Sequence, residues 1–175
     1  GTLDEVRSAV RAIVKDNGPA YLRLDKSFVD IQKPLPYEFG KASIIREGRD
    51  VSLISCGGIL EESLKAAEKL SHEGINCRVI SMHTLKPLDN EAIFKASEET
   101  SGIISIEENT IIGGLGASIA EVCLDYSLNP GFFKRIGLND VYSTIVGDQY
   151  FLRHHYDMDS HYIVNVIKET ISHQN

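Results

Sequence analysis

Apolar positions change their spacing several times along this chain, and each change marks a predicted element. Over "TLDEVRSAVRAIVKDNG", Leu3, Val6, Val10, Ile13 and Val14 recur every three or four residues, the period of a one-sided helix. Thr2 and Glu5 have the spacing of a capping box at its start, and Gly18 offers a stop. "PAYLRLD" (19–25) follows as a short predicted strand. The stretch "KSFVDIQKPLPYEFGK", with two prolines and no sustained period, reads as a linker. A lone helix and strand cannot bury both their faces. Residues 1–25 are therefore expected to be the tail of a preceding domain, 26–39 a linker and 40–175 the main domain.

From residue 40 the pattern settles into alternation. "KASIIREGRDVSLISC" predicts two strands joined by Glu47-Gly48-Arg49-Asp50. A parallel crossover needs about a dozen residues, so these two strands are expected to be antiparallel neighbours. Further strands are predicted at about 76–81, 102–106 and 132–137, alternating with helices at about 59–73, 90–99 and 115–128. The first of these helices carries Glu61 and Glu62 in its first turn and Lys69 and His72 in its last, which complements the helix dipole. Asp89 and Asp159 stand where N-caps belong, the latter before a closing helix over about 160–172 whose Ile163, Val164, Val166, Ile167 and Ile171 face inward. Strands alternating with helices through short connections predict an α/β fold in three layers, α/β/α. Its sheet is mostly parallel and five-stranded, with 42–47 as the antiparallel edge strand.

Composition narrows the classes of function. A hydrophobic content of 42% supports a real core, and a net charge of −7 without a basic stripe argues against nucleic acid. Apolar runs are too short to span a membrane, and no signal peptide is visible. Cys56, Cys77 and Cys123 are odd in number, lie in apolar segments and form no C-x-x-C, as expected of reduced thiols in a cytoplasmic protein. The chain starts at Gly1 rather than Met, which reads as a processed or truncated chain.

Candidate chemistry concentrates in "SIEENTIIGGLGASIAEV" (105–122). Glu107 and Glu108 close a predicted strand, at the end where open α/β sheets bind ligands. Gly113, Gly114 and Gly116 then lead into a helix whose first N–H groups face an anion position. The spacing fits a dinucleotide fingerprint poorly, and an acidic pair would repel a pyrophosphate. The glycines are better read as permitting a tight turn and close helix packing, or close approach to another subunit. "LRHHYDMDSH" (152–161) gathers His154, His155, Asp157, Asp159 and His161, but no pair has metal-ligand geometry, and Asp157 sits where a left-handed residue is wanted. His83 ends a strand on the same edge as Glu107, either as an exposed loop residue or as a polar contact at an interface or cleft mouth. Neither a nucleophilic triad around Cys56 nor a P-loop, H-E-x-x-H or EF-hand loop is present.

Several separated stretches, in order, carry a family resemblance. "VISMHTLKPLDNEAI" (79–93) and "IEENTIIGGLGASIAEV" (106–122) closely resemble the C-terminal domain of transketolases, above all those encoded as separate N- and C-terminal subunits. "GPAYLRLDK" (18–26) resembles the last strand of their pyrimidine-binding domain. "RIGLNDVY" (135–142) and "LRHHYDMDSHYIVNVI" (152–167) resemble the closing segment. The resemblance implies a part of an enzyme that moves a two-carbon ketol unit between sugar phosphates, with thiamine diphosphate as electron sink and Mg²⁺. The family's G-D-G motif and its activating glutamate lie in domains this sequence lacks, since Gly147-Asp148 is followed by Gln149. The resemblance thus implies no catalytic, cofactor-binding or metal residue in this chain, and no activity alone. Its partners would be the N-terminal thiamine-binding domain or subunit and a second copy, with His83, Glu107, Glu108, Gly113, Gly114 and Gly116 as interface candidates. In this reading Leu85 and Leu88 tuck into the core and Pro87 fixes the bend. Asn109 after the glutamates is shared with deoxyxylulose-phosphate synthases, whereas many transketolases have histidine there. The T-L-x-P-L-D turn also occurs in 2-oxo-acid dehydrogenase beta subunits. The stretch 143–151 departs from the family's usual loop. A non-catalytic interaction module on the same fold is the alternative outside enzymology.

Overall fold

The computed structural model describes residues 1–27, 29, 31 and 36–173. The remaining part of the expected linker (28, 30 and 32–35) and the last two residues lie outside the described residues. Helix α1 spans Leu3–Lys15 and begins with the expected capping box: the Glu5 N–H donates to the Thr2 hydroxyl, and the Thr2 N–H donates to the Glu5 carboxylate. It ends at Asp16, whose backbone is extended, two residues before the glycine expected to stop it. Its apolar side is left partly open: Leu3, Val10 and Val14 are exposed, while Val6 and Ile13 are half-buried.

The strand expected over 19–25 is absent. A strand requires a partner to take its backbone hydrogen bonds, and no strand among the described residues lies beside this segment. Tyr21 is 88% exposed and Leu24 61%. Among the described residues, the only ladder contact nearby is an isolated bridge between Thr2 and Val29.

The main domain follows the predicted alternation closely. Strands β1 (Ser43–Arg46), β2 (Val51–Cys56), β3 (Cys77–Ser81), β4 (Ile103–Thr110) and β5 (Phe133–Leu138) form one sheet in the order β1-β3-β2-β4-β5. All pairs are parallel except β1 with β3. A 3₁₀ turn at Gly57–Ile59 leads into α2 (Leu60–Ser71). Helices α3 (Asn90–Glu99), α4 (Leu115–Asp125), α5 (Gln149–His155) and α6 (Ser160–Ser172) complete the chain. Strands buried on both faces need apolar residues on both, which is why β2 and β3 hold almost no exposed position. Val51, Leu53, Val79, Ile104 and Ile106 pack under α2 and α6. Ile54, Ile80 and Ile103 pack under α3 and α4. The layers are α/β/α, as expected.

One expected neighbour relation is wrong. β1 runs antiparallel to β2 but does not pair with it; β3 lies between them. Stepping over one strand means covering two interstrand spacings, roughly 10 Å, within reach of four residues at about 3.3 Å each. The link passes directly over the start of β3: Arg49 and Asp50 N–H groups both donate to the Asn76 carbonyl. A Cβ on Gly48 would stand 2.2 Å from the Cys77 carbonyl carbon, so only glycine passes there.

The T-L-K-P-L-D turn is a packing device in part as expected. Asp89 is buried and caps α3 by accepting from the Ala92 N–H, and it also accepts from the Ala42 N–H ahead of β1. Leu88 packs against the core, whereas Leu85 is exposed rather than tucked in. The turn is spent fastening the edge strand to α3.

Candidate functional site

The expected site residues gather at the carboxyl end of the sheet, but their side chains go to opposite faces because successive residues of a strand alternate. Glu107 points toward α4. It is 4% exposed, and its two carboxylate oxygens accept from the Leu115 and Gly116 N–H groups, each at 2.8 Å. The N-cap position of α4, Gly114, has no side chain to offer. The anion position that the sequence places at this helix start is therefore filled by the chain's own carboxylate. Gly114 makes room for it, since a Cβ there would lie 2.0 Å from Glu107 Oε2; Gly116 instead lets α4 approach β4 and β5, where a Cβ would lie 2.4 Å from Ser105 Oγ and 2.8 Å from Arg135. Gly113 is the turn residue, with φ +70°.

Glu108 points the other way, toward α5. Arg153 grips it in a fork, Nε to Oε1 at 3.0 Å and Nη2 to Oε2 at 2.8 Å, and the Gln149 amide donates to both of its oxygens. Arg153 is 1% exposed. Its Nη1 lies 3.6 Å from Glu61 and 3.9 Å from Glu62, while Tyr150 lies against the guanidinium. Burial opposes the charge of Arg153, but Glu108, Glu62 and Glu61 together hold its pKa above the ordinary value. Sequence reasoning missed Arg153 and Gln149 altogether. An arginine on a two-turn helix reads as solvent-facing, and no spacing rule links it to a strand 45 residues away.

His83 stands apart from both, after β3. Its ring stacks on Tyr37 with centroids 4.4 Å apart, Nδ1 meets the Thr84 hydroxyl at 3.0 Å, and Nε2 is buried with no hydrogen-bond partner among the described residues. Burial lowers its pKa, with the Glu5 and Asp89 carboxylates pulling the other way. A histidine kept neutral by folding binds fewer protons folded than unfolded. Stability is then present above the unfolded pKa near 6.5 and falls as pH drops below it. Thermal unfolding followed from pH 7.5 to 5 is expected to show this loss, and His83→Asn is expected to flatten that part of the profile. A profile unchanged by the substitution refutes the assignment.

The remaining candidates have structural duties. Cys56, Cys77 and Cys123 are free thiols, and burial pushes Cys77 up to about 12. Asp157 has φ +57°, the left-handed residue between α5 and α6, and Asp159 caps α6 while holding His154 Nδ1 at 2.7 Å. Among the described residues, no group of three or more His, Cys, Asp or Glu is placed to hold a metal ion, and no helix is long and apolar enough to cross a membrane. Nor do the residues at the carboxyl end fit a diphosphate with Mg²⁺. The helix N–H groups that would take the phosphate are bonded to Glu107, and the neighbouring cation, Arg153, is already paired with Glu108.

Comparison with known proteins agrees with this architecture. Residues 40–162 match the family described as transketolase, C-terminal domain. The 6-deoxy-6-sulfo-D-fructose transketolase subunit SqwH of Clostridium sp. (strain MSTE9) is 33% identical over 174 residues, covering 98% of this chain and 53% of the relative. A 1-deoxy-D-xylulose-5-phosphate synthase of Desulfitobacterium hafniense is 32% identical over 141 residues, covering 78% of this chain and 22% of that protein. Among solved structures, a split-gene transketolase described as an inactive beta4 tetramer superposes with a TM-score of 0.87 at 28% identity, over 98% of this chain and 56% of that one. This chain thus spans about half the length of the subunits it matches. With that match running through β1 to the first turn of α6, the chain belongs to the transketolase C-terminal domain family.

Proposed function

We propose that this chain is the C-terminal, assembly-supporting part of a split transketolase-type enzyme, which transfers a two-carbon ketol unit between sugar phosphates only when joined to its thiamine-binding portion. The observation that carries the reading is a match over 98% of this chain to subunits about twice as long, combined with a helix α1 whose apolar side is partly unburied. Residues 1–25 are then the tail of a pyrimidine-binding domain, 26–39 its linker and 40–175 the C-terminal domain. Thiamine diphosphate and Mg²⁺ belong to the complete enzyme. Contact with the thiamine-binding partner and with a second copy is assigned to the carboxyl end of the sheet. His83, Glu108 and Gly113 lie nearest that surface, and Glu107, Gly114 and Gly116 hold it in shape. A cytoplasmic location fits such an enzyme.

The test is reconstitution. The complete subunit, mixed with its thiamine-binding partner, is expected to transfer a ketol unit from xylulose 5-phosphate, with neither component active alone. Absence of transfer under any pairing overturns the reading. The match to deoxyxylulose-phosphate synthases supports one specific second reading, checked by assaying for 1-deoxy-D-xylulose 5-phosphate instead. Formation of that product, without transfer from the ketose donor, places the chain with the synthases.

A further inference from the structure

The strand order creates a crevice. From β2 the chain moves to one side to form β3, then crosses back to the other side for β4. Connections leaving β2 and β4 therefore diverge, and the carboxyl end between them is the switch point where doubly wound sheets ordinarily take a ligand. Here the crevice is bounded by Cys56, which is paired with Glu107, by the Gly57–Ile59 turn and by Glu108.

What lies over it is a piece of the same chain. Asp25 and Ser27 sit so close to the turn that a Cβ on Gly58 would stand 1.9 Å from Ser27 Oγ and 2.4 Å from Asp25 Oδ2. Two polar side chains hold the segment from the other side. Arg153 Nη2 donates to Ser27 Oγ at 3.2 Å, and the Gln149 amide nitrogen reaches both Asp25 oxygens, at 3.3 and 3.4 Å, while also holding Glu108. The Ser27 hydroxyl donates back to Asp25 at 3.0 Å, which closes the loop on itself. The Arg153 side chain is almost wholly buried, so its donors are directed into this cluster rather than toward water.

We propose that the switch-point crevice between β2 and β4 is a built-in receptor for the Asp25–Ser27 segment, which straps α1 and the residues after it onto the domain. Gly58 provides the floor, and Gln149 and Arg153 provide the recognition. A free ligand has no room at this position while the strap is seated. Because the strap joins α1 to the main domain, its seating sets where the open apolar side of α1 is presented. That consequence rests on the reading of residues 1–25 as the tail of the preceding domain; the docking itself does not.

Trypsin provides the test, since Arg23 precedes the strap and Lys26 lies within it. The full-length protein is digested folded and again unfolded in urea, and cleavage after these two residues is timed by mass spectrometry. A docked strap is expected to be cut at least about tenfold more slowly in the folded protein. Gly58→Ala, which fills the floor, and the double variant Asp25→Ala/Ser27→Ala, which removes the recognised groups, are each expected to bring the ratio of the two rates close to one. Circular dichroism should meanwhile report the sheet intact. Should Gly58→Ala fail to fold, the double variant carries the test, because it alters only the strap. A folded protein already cut as fast as the unfolded chain overturns the proposal, as does protection that survives in the double variant. Neither result depends on enzyme activity, so failure here is distinct from failure of the reconstitution.

Discussion

Arg153→Met is expected to lower the stability of the chain by about 3–5 kcal/mol, the cost of removing one partner from a buried ion pair. The carboxylate of Glu108 would lose the fork that neutralises it, and Glu61 and Glu62 would keep Lys65 as their cation, beside the Tyr150 hydroxyl on Glu61 and the Ser160 N–H on Glu62. Methionine fills much of the volume, so the loss measures charge and hydrogen bonding more than a cavity. For a domain of this size each kcal/mol moves the melting temperature by roughly 2–4 °C, so a drop on the order of 10 °C is expected. The pairing is checked by a double-mutant cycle with Glu108→Gln. With both partners replaced, no unpaired charge is left at the fork, and the double variant is expected to be more stable than the sum of the single losses predicts. Additivity within about 0.5 kcal/mol means the two residues do not depend on each other.

The contrast between what the sequence predicts and what forms follows the range of the forces involved. Helix starts were legible because a cap is local: Thr2 with Glu5, Asp89 and Asp159 each bond N–H groups within three residues of themselves. The five strands and their mostly parallel arrangement were legible because doubly buried strands need continuous apolar runs, and β2 and β3 have them. Strand neighbours were less so. A four-residue link is compatible with either a hairpin or a step over one strand, and the choice lies in tertiary packing, marked only by Gly48. In the strand expected over 19–25, Leu22 and Leu24 alternate with Arg23 and Asp25, but alternation cannot supply a partner.

Within the site, the sequence draws attention to the acidic pair and the glycines without revealing how they divide the work. Strand alternation sends Glu107 to α4 and Glu108 to α5, so one closes a helix start and the other anchors a distant arginine. The unusual 143–151 stretch leaves its polar contact in doubt at the level of sequence. It delivers one nonetheless through Gln149, which bridges Glu108 to Asp25. Such a bridge joins residues 41 and 124 positions apart, and no periodicity encodes that.

Glu107→Ala is the second large effect, and it tests whether the glycine-rich turn serves the fold itself. The substitution leaves the buried Leu115 and Gly116 N–H groups without their acceptor, at roughly 1–3 kcal/mol each, and removes the anion that complements the dipole of α4. A total of about 3–5 kcal/mol is expected from urea unfolding. Glu107→Gln retains one acceptor oxygen but turns an amide donor toward the other N–H, so it should fall between wild type and alanine. Gly114→Ala attacks the same contact from the other side, since its Cβ would collide with Glu107 Oε2. If the glycine is there to let the carboxylate reach the helix, its substitution should cost much less in the Glu107→Ala background than in wild type. Equal costs in the two backgrounds would mean that the glycine answers to something other than the carboxylate, and a loss below about 1 kcal/mol for Glu107→Ala would mean that water reaches those N–H groups after all.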